Sequence, residues 1–135
     1  MSAEADFLRD DRANVEKTLV LIEELLSLPV LGKHEAVALG TYLHNAYSGV
    51  ERMLRTVLEG RGIRVPPSAT WHKNLLQRAN SEGLLSGEQF DGFLELLAFR
   101  HFHVHGYGHM LDADRLREIA EPVPSLVRDF LAGIL

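Results

Sequence analysis

From about residue 34 to 60 the chain places Leu39, Leu43, Ala46, Val50, Met53 and Val57 at alternating steps of four and three, with no proline to interrupt them. That spacing keeps one apolar seam facing a neighbour along a long helix, either in a core or at a dimer interface. A helix of this length sets the scale for everything packed on it. The preceding segment repeats the pattern with Phe7, Leu8, Val15, Leu19, Ile22, Leu25 and Leu26, and Pro29 and Gly32 end it. Residues 60–70 hold two glycines and the pair Pro66-Pro67, which reads as a surface loop. A short helix is expected over about 69–80, with Gly83 after it.

Ser86 stands three residues before Gln89, the spacing of a capping box, and Phe90, Phe93, Leu94 and Leu97 form the apolar face of the helix that follows. Gly106 and Gly108 should fray or stop that helix, and Asp112 is a good N-cap for a last one. Pro122 and Pro124 predict a kink or break near Glu121. No segment alternates with the period of two that a strand needs. The expected architecture is all-α: an antiparallel bundle of four to five helices, with residues 1–135 as one domain.

Composition removes several function classes. The chain has no cysteine, so disulfide frameworks, cysteine-bound zinc and thiol redox chemistry are excluded. No apolar run approaches the length of a membrane span, and the N-terminal residues are too acidic for a signal peptide, so a soluble cytoplasmic protein without a membrane partner is expected. A net charge of -5 argues against a broadly basic nucleic-acid coat. Yet residues 51–80 carry six basic side chains (Arg52, Arg55, Arg61, Arg64, Lys73, Arg78) against Glu51 and Glu59, which permits a local positive surface.

Four of the seven histidines, His101, His103, His105 and His109, fall within nine residues. Imidazole suits both proton transfer near neutral pH and metal binding. On a continuous helix His101, His105 and His109 share a face at steps of four, as metal ligands do, but no carboxylate lies nearby in sequence to complete a hydrolytic site. The cluster is expected to work without metal or other cofactor. Arg100 precedes His105 by five positions and Tyr107 follows it by two.

Arg, four residues, His, one residue, Tyr is the pattern of the HepT-like members of the HEPN superfamily, and the segment Arg100-His101-Phe102-His103-Val104-His105-Gly106-Tyr107 resembles it in full. Residues 42–51 (YLHNAYSGVE) are likewise similar to the family's second helix. The resemblance implies an endoribonuclease toxin, a homodimer with the motif helices facing each other, and a nucleotidyltransferase antitoxin able to attach AMP to Tyr107. In one respect the sequence departs from the family: the Asn that often follows the Arg is His101 here, a titratable ring in place of an amide.

Metal-free RNA cleavage needs a base for the ribose 2′-hydroxyl, an acid for the departing 5′-oxygen and positive charge on the phosphate. His105 can be the base or acid, and the planar guanidinium of Arg100 can grip two phosphate oxygens. Five helical residues turn the chain by about 140°, so the two side chains of one uninterrupted helix diverge. A working site therefore calls for a helix end near Gly106 or residues from two chains. Tyr107 is either the modified residue or a wall of the pocket. His44, Ser48, Glu51 and Arg55 make a polar stripe on the second helix, either a solvated face or one side of the cleft, with His44, Glu51 and His101 as supporting residues. Trp71-His72-Lys73 can stack on and grip RNA, or the tryptophan can anchor packing. The competing function is a non-catalytic HEPN module that binds nucleotides or a partner protein.

Overall fold

The computed structural model describes residues 3–104 and 112–134, and among them it contains six helices and no strand. α1 spans Ala3–Leu26 and α2 spans Lys33–Gly60. A γ-methyl group of Val15 lies against Gly49, and the Glu4 carboxylate lies against Gly60, so the two helices run antiparallel. Gly49 has no Cβ to hold the backbones apart, and α1 and α2 pack together more extensively than any other pair. The α2 seam is enclosed by the chain's own helices: Leu39, Leu43, Ala46, Val50 and Met53 are fully buried, with Val57 partly so. It is core, so it offers no surface for dimerisation. In α1, Leu8, Val15, Leu19 and Ile22 point inward as the pattern predicts, whereas Phe7 is 63% exposed because it sits one position round the helix from Leu8.

α3 spans Trp71–Ser81 and α4 spans Gly87–Val104. α2 and α3 stop by the same device. Gly62 and Gly83 take the left-handed conformation (φ 79° and 80°), which lets Ile63 N–H reach the Leu58 carbonyl and Leu84 N–H reach that of Ala79, each at 2.9 Å. The α4 capping box forms as the spacing predicts: Gln89 N–H donates to Ser86 Oγ at 3.1 Å, and Ser86 N–H to Gln89 Oε1 at 3.0 Å.

α5 spans Ala113–Ala120 and α6 spans Val123–Ile134. Asp112 caps α5, accepting from Arg115 N–H at 2.7 Å. The two prolines turn one expected helix into two, which is why the count exceeds the expected four or five. Pro124 falls in the first turn of α6, where a missing N–H leaves no bond unmade, and the Pro122 carbonyl takes the Leu126 N–H at 3.1 Å. Long-range arginines then tie the helix ends. Arg117 donates to the carbonyls of Leu26 and Leu28 at 2.9 Å each, and Arg12 to that of Leu131 at 3.0 Å, so the end of α1 and the last turn of α6 are each tied to another helix. Among the described residues no helix is long and apolar enough to cross a membrane.

Candidate active site

Glu51 is the one charged residue buried in the core among the described residues. A carboxylate there needs a partner, and its Oε2 lies 2.8 Å from Nδ1 of His72 at the start of α3. The turn before α3 delivers that ring. Trp71 Nε1–H donates to the Val65 carbonyl at 3.2 Å, fixing the proline loop to the helix, and the Trp71 and His72 rings meet edge-on at 5.1 Å and 82°. One helical turn before Glu51, Tyr47 is wholly buried; its hydroxyl makes no hydrogen bond of ordinary geometry among the described residues, yet it lies close enough to Glu51 to interact with that carboxylate. Burial pushes the phenol's ionisation far above its ordinary range, the Glu51 charge and the phenol's interaction with that carboxylate as a donor add to this, and the Arg100 charge acts in the opposite direction. Tyr47 therefore stays neutral and stands between an acid and a guanidinium.

Arg100 reaches this place because it shares a face of α4 with Phe93 and Leu96, seven and four residues earlier, both buried. Its side chain is half-buried, and its Nε is shut off from solvent with no hydrogen-bond partner among the described residues. None of the ion pairs among those residues includes it. His101, one position further round, is exposed. His44 is half-buried one turn before Tyr47 on α2. His105 and Tyr107 lie outside the described residues, as do His109 and the side chain of His103. The structure thus brings Glu51 and Arg100 to the same buried phenol, with His44 on the same helix, and leaves His101 at the surface.

The polar stripe on α2 splits in two. Glu51 turns into the core, while Arg55 is exposed and reaches Glu59 at 3.8 Å. Tyr47 was not among the expected site residues, and His72 was expected only within Trp71-His72-Lys73 as a residue to grip RNA, not as the partner of Glu51. Tyr47 falls three residues before Val50 and four after Leu43, so the seam marks it as buried. His72 carries no such mark, because its partner lies 21 residues away on another helix. Tyr47→Phe removes a buried hydroxyl that has no hydrogen bond of good geometry among the described residues. Its unfolding free energy should therefore stay within about 1 kcal/mol of the parent or rise, as measured by urea titration; a loss above about 2 kcal/mol would mean that the hydroxyl is bonded.

The HepT-like protein family matches residues 38–134, a stretch that holds Tyr47, Glu51, His72 and Arg100. This chain belongs to the HepT-like protein family. No relative matches among curated proteins. Among solved structures, a chain from a crystal structure of a toxin-antitoxin with AMP-PNP is similar with a TM-score of 0.83 and 11% identity, covering 96% of this chain and 97% of the other. YutE, a cytosolic protein of unknown function from Bacillus subtilis, is similar with a TM-score of 0.70 and 22% identity, covering 92% and 87%. At these identities the likeness carries the fold, and the fold is the all-α HEPN-like bundle expected from the sequence. The HepT-like resemblance read from the sequence is thus shown at the level of the family by the match over residues 38–134.

Proposed function

We propose that this chain is a metal-independent endoribonuclease, the toxin of a cytoplasmic toxin-antitoxin pair whose antitoxin is a nucleotidyltransferase. The observation that carries the proposal is Arg100, a half-buried guanidinium that enters no ion pair among the described residues, placed at the start of the Arg-x4-His-x-Tyr motif. Burial strengthens its attraction for an anion, and its planar fork fits phosphate. In the reaction the ribose 2′-oxygen bonds to phosphorus as a histidine takes its proton. The bond from phosphorus to the 5′-oxygen breaks as a second proton reaches that oxygen, leaving a 2′,3′-cyclic phosphate and a 5′-hydroxyl. His105 serves as base or acid and Arg100 holds the equatorial oxygens.

A second copy of the chain would supply the other proton-transfer group, giving a homodimer with Arg100 and His105 of both copies around one phosphate. The family membership supports the nuclease reading. The likeness to a chain from a toxin-antitoxin structure with AMP-PNP supports the pairing. Under this reading the partner transfers AMP from ATP to the Tyr107 phenol, releasing pyrophosphate and blocking the site.

Purified protein incubated with total RNA or tRNA in EDTA should cleave it and leave cyclic-phosphate ends. Loss of cleavage on chelation, restored by zinc or manganese, would replace this mechanism by a metal-dependent one. RNA or nucleotide binding with no cleavage would instead leave a non-catalytic HEPN module. Co-expression with the nucleotidyltransferase should add AMP to the peptide bearing Tyr107, and light scattering should give the mass of a dimer.

A further inference from the structure

A cleft of about 370 Å³ opens between the end of α2, the loop over residues 61–70 and the start of α3. Trp71, Ile63, Val65 and Leu58 line its apolar part, and Arg55 and Arg64 stand on its wall. We propose that it is a second RNA subsite, taking one nucleotide of the single strand that flanks the cleaved phosphate; this rests on the ribonuclease reading of Arg100. The volume lies at the small end of the range for ligand pockets. Its chemistry is that of a single-strand binding surface: an aromatic ring for a base and cations for the backbone.

The cleft is preorganised. Trp71 is held by its bond to the Val65 carbonyl and by the edge of His72, and Pro66-Pro67 stiffen the loop opposite. Asn74 Nδ2–H₂ donates to Ser68 Oγ at 3.3 Å and to Thr70 Oγ1 at 3.2 Å, tying the loop's last residues to the first turn of α3. Little rotamer freedom is then lost on binding.

The cations are available. Arg64 is exposed and enters no ion pair among the described residues, and Lys73, beside His72, enters none either. Arg55 has only its exposed 3.8 Å pair with Glu59, a weak competitor for phosphate. Two arginines against one glutamate leave the wall net positive on a protein whose overall charge is -5. One ring links the cleft to the candidate active site, since His72 touches Trp71 of the cleft on one side and Glu51 on the other. A strand held at Arg100 could continue past His72 into the cleft.

Trp71 is the single tryptophan of the chain, so its fluorescence reports on this cleft directly. The full chain is titrated with a 2′-O-methyl oligouridylate, which has no free 2′-hydroxyl to attack phosphorus and so remains intact. Saturable quenching is expected. Arg64→Glu, a change on an exposed loop, should weaken the affinity by about fivefold or more and flatten the log-log salt dependence by about 0.7 for the lost phosphate contact. Equal quenching by polyphosphate, which has no bases, would overturn the nucleotide subsite, as would an unchanged affinity in Arg64→Glu. RNA cleavage with no Trp71 quenching would remove the subsite and leave the nuclease standing. Quenching sensitive to Arg64→Glu in a protein that cleaves no RNA would support the subsite and remove the nuclease.

Discussion

Arg100→Ala should lower RNA cleavage by about 10²- to 10⁴-fold, the usual consequence of removing a charge aimed at the developing transition state. Its stability should not fall. A mutation that breaks a buried ion pair strands the surviving charge, but Arg100 enters no ion pair among the described residues, where Glu51 is already paired with His72, and half-burial of its guanidinium already costs desolvation. The urea midpoint of Arg100→Ala should therefore equal or exceed that of the parent. Arg100→Lys should recover little activity, since an ammonium cannot hold two phosphate oxygens in one plane.

His105→Ala should match Arg100→Ala in effect, whereas His103→Ala and His109→Ala should cost far less because neither occupies the motif. His101 projects from the exposed side of α4, so His101→Asn restores the family's usual residue without disturbing the core and should preserve or raise cleavage. Wild-type cleavage by His105→Ala in nuclease-free preparations would remove the catalytic assignment.

The fold was legible wherever a single helix dictated its own terms. The 4-3 seam of α2, the Ser86-Gln89 box, the Asp112 cap and the proline break at Pro122 are local signals, and each appears in the structure. The long-range caps by Arg12 and Arg117 were not legible, because their acceptors lie 119 and 91 residues away and no periodicity links a guanidinium to a distant carbonyl. The seam left core and dimer interface open, since either would bury it equally; only the packing of α1 against α2 decides for the core. The site divides in the same way. Arg100 was legible as the first residue of a short sequence motif. The pairing of Glu51 with His72 was not, because α2 and α3 are joined by a loop whose path depends on where Trp71 docks.

Phe93→Ala should produce the largest loss of stability, about 3–5 kcal/mol from a total of about 5–15 kcal/mol for a domain. Phe93 is fully buried, and its ring meets that of Phe130 on α6 edge-on at 5.6 Å and 87°. Truncation therefore removes transfer free energy, opens a cavity that the helices on either side only partly fill, and deletes an aromatic pair contributing about 0.5–1.5 kcal/mol beyond area. A cycle with Phe130→Ala should show coupling of that size. Phe93→Leu keeps most of the volume and should cost much less.

The position also bears on function, because Phe93 lies two turns before Arg100 on the same face of α4. Arg100→Ala should abolish cleavage while keeping the midpoint, and Phe93→Ala should lower the midpoint sharply, so the two variants separate chemistry from scaffold. A urea midpoint for Phe93→Ala that corresponds to a loss below about 1 kcal/mol would mean that α4 is not anchored through this ring, and the placement of Arg100 would then have to rest on the other buried residues of α4, Leu96 and Phe99.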